Sequence, residues 1–83
     1  MPDSAFAFVV RTRGGVSDLS RVVNLMALLD LTPRELDVRA DRCGLRMRLR
    51  LVADERACSL FVNRLRALPA VVEARLNREA RPV

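Results

Sequence analysis

The sequence predicts an α+β fold in which the elements follow in the order strand, helix, strand, strand, helix, strand. Four short stretches alternate apolar and polar residues, the pattern of a strand with one buried face. Two longer stretches repeat their apolar residues at helical spacing. Two strand–helix–strand units with right-handed crossovers give a ferredoxin-like βαββαβ sandwich, a four-stranded antiparallel sheet with two helices on one face.

Length and composition indicate one domain that covers residues 1–83, with a core at about residues 5–77. The chain has 51% apolar and 30% charged residues, which is typical of a globular protein. It contains three Phe and no Trp or Tyr, so Leu, Val, Ala and Met must build most of the core. Such a small unit gains buried surface by pairing, and a homodimer is therefore expected.

The first strand is predicted at Ala5–Thr12, with Phe6, Phe8 and Val10 facing the core. Arg13-Gly14-Gly15 follows this strand directly. Glycines at such a place allow a sharp turn or a close approach of the backbone to a phosphate. Neither of the common phosphate-loop patterns is present, so an ordinary strand-to-helix turn is the favoured interpretation.

The first helix is predicted to begin with Ser17 as its N-cap, because a serine side chain can accept a hydrogen bond from the first turn. Asp18 then lies close to the positive end of the helix dipole. The helix is expected to end at Asp30 and Leu31, since Pro33 cannot extend it.

One side of this helix is predicted to face the core. Its residues are Leu19, Val22, Val23, Met26 and Leu29. Leu25 and Leu28 fall on the side that should meet water. Two neighbouring exposed leucines on a small domain favour a contact with a second subunit.

A hairpin is predicted next, with its first strand at 34–40 and its turn at 41–44. In the first strand Leu36, Val38 and Ala40 are expected to face inward. The sheet edge that this strand forms, together with Leu25, Leu28 and Leu36, is the predicted dimer interface.

The second hairpin strand is predicted at 45–51 and at the centre of the sheet. It alternates four apolar residues with Arg46, Arg48 and Arg50, so one of its faces carries only arginine. These three β-strand arginines are a candidate surface for nucleic acid or for an acidic partner. Glu35 and Asp37 are expected opposite Arg48 and Arg50, and such internal pairs weaken the nucleic-acid interpretation.

The net charge of +5 comes from fifteen arginines and no lysine. Attraction to phosphates or to an acidic partner is one reading of this excess. The other is the codon bias of a GC-rich genome, and it is favoured because acidic residues are interspersed along the chain.

The second helix is predicted to run from the N-cap Asp54 to about Leu68, before Pro69. Its core-facing side is expected to consist of Cys58, Phe61, Leu65 and Leu68, flanked by Ala57 and Val62. A last strand is predicted at 71–77, with Val72, Ala74 and Leu76 on one face. The ends of the chain, residues 1–4 and 78–83, are expected to be loose.

The residue types argue against an enzyme. The chain has no histidine and only two cysteines, which removes the commonest general base, the usual triads and most metal sites. Cys58 is expected to be a small core residue, and Cys43 to lie in an exposed turn. Arg13 and Asn24 could serve phosphate chemistry, but an asparagine inside a helix has the wrong setting. No cofactor or metal is expected, and a soluble cytoplasmic protein is the default.

Three stretches resemble ACT domains, particularly the small regulatory subunits of acetohydroxyacid synthase. Residues 15–22 are similar to that family's glycine loop followed by "LxRV", and residues 31–36 to the start of its second strand. Residues 63–68, followed by Val71 and Val72, are similar to its closing helix and strand. The similarity spans roughly residues 5–77.

The resemblance implies a regulatory module in which two domains join side by side and hold an amino-acid effector at their interface. The implied ligand residues in the first loop are Gly15, Val16, Ser17, Asp18 and Leu19, and Thr32 is implied at the start of the second strand. Ser17 stands where the family has a glycine, and Thr32 where it has a ligand-binding asparagine. A catalytic partner subunit is implied as well.

Overall fold

The computed structural model describes residues 3–79. It contains two helices and four strands in the predicted order. Their bounds are β1 Ser4–Thr12, α1 Val16–Leu28, β2 Glu35–Asp41, β3 Gly44–Ala53, α2 Glu55–Arg66 and β4 Val71–Arg78. Every element lies within a few residues of its predicted position.

The four strands form one antiparallel sheet in the order β2-β3-β1-β4. The predicted ferredoxin-like fold is confirmed, with β1 and β3 at the centre. The arginine-bearing stretch 45–51 lies within β3, as expected. In the hairpin, Glu35 lies opposite Arg50 and Asp37 opposite Arg48, which confirms the predicted register.

The core lies between the helices and one face of the sheet. Its fully buried members from β1 and β3 are Phe6, Phe8, Val10, Met47, Leu49 and Leu51. Helix α2 contributes Cys58, Phe61, Val62 and Leu65 to it. The rings of Phe8 and Phe61 meet edge to face with their centroids 5.2 Å apart, which joins the sheet to this helix.

Helix α1 differs from its predicted bounds at both ends. The N-cap is Gly15 and not Ser17, which lies inside the helix. The helix ends at Leu28, and Asp30 takes a left-handed conformation with φ 56°. The amide of Leu31 then bonds the carbonyl of Met26 at 2.8 Å, so the chain turns off before Pro33 is reached.

The predicted core face of α1 is wrong at one position. Val23 is 42% exposed, whereas Leu25 is half-buried and packs against the core. The buried stripe centres on Val22, and successive residues are rotated by about 100° around the helix axis. Leu25 therefore lies about 60° around the axis from Val22, and Val23 about 100°. The prediction placed the stripe too far toward Val23.

Strand β2 is less buried than predicted. Leu36 and Ala40 alternate toward the helix side as expected, but both are exposed, and only Val38 is half-buried. The reason is that β2 is an edge strand, since one of its sides pairs with β3 and the other with no strand of residues 3–79. The core lies over the inner strands.

The prediction of loose ends is wrong for Ser4, Arg78 and Glu79. Ser4 begins β1 and Arg78 ends β4, while the amide of Glu79 bonds the carbonyl of Ala5 at 2.9 Å. The remainder of those two predictions, at 1–2 and 80–83, lies outside the described residues.

Neither helix of residues 3–79 has the length and apolar character needed to cross a bilayer.

Candidate functional site

The loop between β1 and α1 is organised by one buried carboxylate. Asp18 is only 8% exposed, and its Oδ2 accepts a hydrogen bond from the amide of Gly14 at 2.6 Å. A Cβ atom on Gly14 would lie 2.5 Å from that oxygen, so a side chain at this position would displace it. Asp18 therefore shapes the loop, and this use of its carboxylate was not predicted.

The start of α1 exposes the other residues of the predicted ligand loop. Val16 is 79% exposed and Ser17 is exposed, while Leu19 is half-buried. The amides of Asp18 and Leu19 bond the carbonyl of Gly15 at 2.9 and 3.4 Å. In such a first turn the amides of Val16 and Ser17 have no acceptor within the helix, so they can bind an anionic group.

Thr32 lies at the other end of the domain. It is exposed and lines a cavity of ≈ 300 Å³ between the α1–β2 connection and the end of β3. Three carboxylate residues, Asp3, Asp30 and Asp54, line the same cavity. This end is therefore acidic, in contrast to the amide-rich start of α1.

The two halves of the predicted ligand site do not meet within one chain. The first half lies at the beginning of α1, and Thr32 follows its end. The helix has 13 residues, and at 1.5 Å per residue it separates the halves by about 20 Å. A ligand in contact with both Ser17 and Thr32 would need the two groups from different chains.

The sheet face opposite the helices, here called the open face, carries the three β3 arginines. Arg50 is fixed there by two carboxylates. It donates hydrogen bonds to Glu35, and to Glu79 at 2.7 and 2.9 Å. These bonds raise the pKa of Arg50 and lower that of Glu79. Arg50 is therefore occupied within the chain, and sequence reasoning missed Glu79 because the tail was expected to be loose.

Arg46 and Arg48 differ from Arg50. Arg48 is exposed and Arg46 is half-buried, and neither forms an ion pair with a residue of 3–79. Asp37 lies opposite Arg48, but its Oδ2 is near Nε of Arg39 at 3.5 Å instead. Two of the three predicted partner-surface residues thus remain available.

The predicted dimer residues lie in different surroundings. Leu28 is 74% exposed and Leu36 is 41% exposed, whereas Leu25 packs partly on the core of its own chain. Val16 and Val23 are also exposed, and they lie on the opposite flank of α1 from Leu25 and Leu28. Sequence reasoning assigned Val23 to the core and so missed this second apolar flank.

Among solved structures, the chain is similar to the ACT domain of a GTP pyrophosphokinase of Chlorobium tepidum. Its crystal structure matches with a TM-score of 0.80 at 10% identity, over 90% of this chain and 99% of that one. Its solution structure matches with a TM-score of 0.78 at 12% identity, over 93% and 89%. This chain has the fold of an ACT domain.

The chain is also similar to a further solved structure. The C-terminal domain of the MgtC protein from Mycobacterium tuberculosis matches with a TM-score of 0.71 at 15% identity, over 93% of this chain and 88% of that domain. No protein-family model matches the sequence. No curated protein matches it significantly either. The TM-scores establish the fold, but at identities this low the similarity does not identify a ligand. The ligand must therefore be inferred from the residues of this chain.

The cysteines of this ACT-like chain occupy the predicted places. Cys43 is exposed in the hairpin turn, and Cys58 is buried in α2. Burial, with a smaller contribution from Asp54 and Asp3, raises the pKa of the Cys58 thiol to about 11. A thiol held neutral in this way is a poor nucleophile at neutral pH.

Within residues 3–79 no three His, Cys, Asp or Glu side chains are grouped so as to hold a metal ion.

Proposed function

We propose that this chain is a non-catalytic regulatory or assembly module that pairs with a second copy and binds an amino acid between the two copies. Its first candidate partner is the catalytic subunit of a biosynthetic enzyme. The resemblance to the small subunits of acetohydroxyacid synthase points to branched-chain amino acid synthesis. The solved ACT domain that it resembles likewise comes from a larger enzyme, a GTP pyrophosphokinase.

One observation carries the proposal. The amides at the start of α1 suit a carboxylate, the acidic cavity at Thr32 suits an ammonium group, and about 20 Å of helix separates them. Two copies whose α1 helices run antiparallel would bring the start of one helix beside the end of the other. An amino acid carries both charged groups and would fit between them.

The edge of β2 is the surface that supports such a pairing. Its outer backbone groups are unpaired within residues 3–79, and Leu36 is exposed on the helix side of the strand. Since β1–α1–β2 crossovers are right-handed in nearly all proteins, the α1 flank with Val16 and Val23 faces this edge. Joining two β2 edges would extend the sheet and bury these apolar residues together.

The pairing is tested by sedimentation of three matched variants. Leu36→Glu and Val23→Glu place a charge in the proposed interface, and Leu60→Glu places one on α2. The three side chains are 41%, 42% and 43% exposed, so the changes are comparable in the single chain. We expect the first two variants to be monomers and the third to remain a dimer like the wild type. A monomeric wild type would contradict the pairing.

The ligand site is tested by calorimetry and complementation. Wild-type protein is titrated with individual amino acids, beginning with the branched-chain ones. Ser17→Trp and Thr32→Trp each block one half of both sites in a symmetric dimer, so neither variant should bind. An equal mixture should regain about a quarter of the wild-type sites, because half of the dimers are mixed and each mixed dimer has one intact site. If no amino acid gives heat of binding with the wild-type protein, only the assembly role is left. If the mixture of the two variants regains no binding sites, the site lies within one chain.

Nucleic-acid binding by Arg46, Arg48 and Arg50 is the alternative proposal. It has less support, because Arg50 is occupied by Glu35 and Glu79. It requires an affinity that falls steeply with salt and is lost when all three arginines are replaced by glutamine.

A further inference from the structure

The register of the sheet places three arginines side by side on the open face. Arg46 in β3 lies directly opposite Arg11 in β1 and, on its other side, directly opposite Arg39 in β2. We call these three residues the cross-strand arginine row. Neighbouring strands lie about 4.8 Å apart, so the row spans about 10 Å. Like charges directly opposite one another on neighbouring strands are unfavourable.

The carboxylates near this row are only loosely engaged. Arg11 Nη2 lies 3.6 Å from Asp41 Oδ2, and Arg39 Nε lies 3.5 Å from Asp37 Oδ2. Both separations exceed the 2.7–2.9 Å usual for a charge-assisted hydrogen bond. Arg50, by contrast, meets Glu79 at 2.7 Å. The ion pairs at the end of the open face that contains the arginine row are therefore longer than the ion pair of Arg50 with Glu79.

The local charge is not balanced within the described chain. Arg48 lies two residues along β3 from Arg46 and adds a fourth guanidinium group to the three of the row. Like Arg46, it forms no ion pair with a residue of 3–79. Glu73 lies opposite Arg11 but pairs with Arg75 at 3.1 Å. Four arginines face two loosely held aspartates, which leaves two positive charges in this group. The neighbouring group of Arg50, Glu35 and Glu79 carries one negative charge in excess, so the two groups together keep one positive charge.

We propose that the cross-strand arginine row, with Arg48, is the docking site for a carboxylate-rich segment of a partner protein. Guanidinium groups bind carboxylates in a planar, bidentate manner and suit ion pairs at interfaces. A cavity of ≈ 340 Å³ on the open face is lined by Arg48, but Arg11, Arg39 and Arg46 do not line it. An extended acidic segment can contact all four arginines at once, whereas a small ligand held in that cavity would contact only Arg48 among them. Arg39 belongs to β2, whose outer edge is the proposed dimer interface, but the row lies on the sheet face opposite α1 and is complete within one chain. The proposal therefore does not depend on the proposed function.

The same face disfavours nucleic acid. All three aromatic residues of the chain are buried, so the open face offers no ring on which a base could stack. Carboxylates also flank the arginines on both sides, with Glu35 and Asp37 on β2 and Glu73 on β4. A long polyanion would meet these negative groups, whereas a short acidic segment would cover the arginines alone.

The proposal is tested with an oligoglutamate peptide as the probe, by fluorescence anisotropy at low salt. The test variant Arg39→Gln/Arg46→Gln is compared with Arg21→Gln/Arg56→Gln, which removes two exposed arginines from the helices and leaves the same net charge. We expect the test variant to bind the peptide about fivefold more weakly than the wild type, since each exposed ion pair is worth a factor of roughly two to five. The control should bind like the wild type.

Thermal unfolding separates docking from a structural role. Without the peptide, Arg46→Gln should be at least as stable as the wild type, because it relieves repulsion within the row. The peptide should raise the melting temperature of the wild type more than that of Arg46→Gln, whose affinity is expected to be roughly two- to fivefold weaker. Equal weakening in both double variants, a less stable Arg46→Gln, or tighter binding of an oligothymidylate of the same charge would each overturn the proposal.

Discussion

Arg50 donates two hydrogen bonds to Glu79, from Nε at 2.7 Å and from Nη2 at 2.9 Å. Both oxygens of the carboxylate are used, the geometry in which arginine binds most specifically. The amide of Glu79 also bonds the carbonyl of Ala5 at 2.9 Å. The residue after β4 is thereby joined to both central strands of the sheet.

This contact predicts a dependence of stability on acid pH. The Arg50 guanidinium lowers the pKa of Glu79 from its ordinary value of 4.5. The unfolded chain therefore binds the proton more readily than the folded one, and stability is lost as the pH falls from about 4.5 through the folded pKa. The free energy of unfolding, measured by urea denaturation between neutral and acid pH, should fall less steeply for Glu79→Gln than for the wild type. Arg50→Gln should show the same loss of slope, and parallel curves for all three proteins would contradict the prediction.

Gly14 and Gly15 form a matched pair for testing the loop before α1. Gly14→Ala should destabilise the fold by about 1–3 kcal/mol, because its Cβ would displace the buried Asp18 carboxylate and leave it without its donor. Gly15→Ala should cost less, since no atom outside residues 14–16 lies within 4 Å of the added Cβ, and only the poorer N-capping of alanine is lost. Chemical denaturation of the two variants measures the difference, and equal losses would show that Asp18 does not organise the loop.

Gly44 should be the glycine least tolerant of substitution. Its φ of +135° disfavours any residue with a side chain, and a Cβ there would lie 2.0 Å from the backbone oxygen of Thr12. Gly44→Ala should therefore cost at least about 2 kcal/mol, since strained backbone positions cost about 1–3 kcal/mol each before the clash is added. Its free energy of unfolding is measured beside that of Gly15→Ala. A loss no larger than that of Gly15→Ala would mean that the hairpin turn can adopt another conformation.

The two cysteines should differ in reactivity. Iodoacetamide at mildly alkaline pH should label Cys43 rapidly, and Cys58 only when the chain unfolds. The folded pKa of Cys58, about 11, lies above its ordinary value of 9.0, so its contribution to stability is complete below pH 9 and is lost as the pH rises toward 11. Peptide mapping after timed labelling provides the measurement. Equal labelling of both thiols in the folded protein would contradict the burial of Cys58.

Much of the fold could be predicted because local patterns specify it. The two-residue period at 45–51 fixed both the strand and its arginine face, and Asp54 was correctly predicted as the N-cap of α2, where its Oδ1 accepts from Ala57 at 2.7 Å. The capping of α1 could not be read in the same way. Ser17 has the right side chain for a cap, but the helix begins at Val16 with Gly15 as its N-cap, and the carboxylate of Asp18 accepts a hydrogen bond from the amide of Gly14, before the helix.

The candidate ligand site was predicted as a set of residues, and the resemblance implied that two domains share it. The predicted helix between Ser17 and Leu31 already placed the first loop and Thr32 at opposite ends of that helix. That separation depends on α1 lying straight along the sheet, and it is the reason why two copies are needed in the proposed site.

By itself, the sequence determined the order of the elements, the alternation of each strand and the arginines that point away from the core. These depend on periods of two and of 3.6 residues, which hold whatever the strands pair with. Only the tertiary structure decided which arginines are neutralised. Strand pairing brings Glu79 to Arg50 from 29 positions away and sets Arg11 against Arg46. Such juxtapositions arise from register between distant segments, and no local pattern in the chain encodes them.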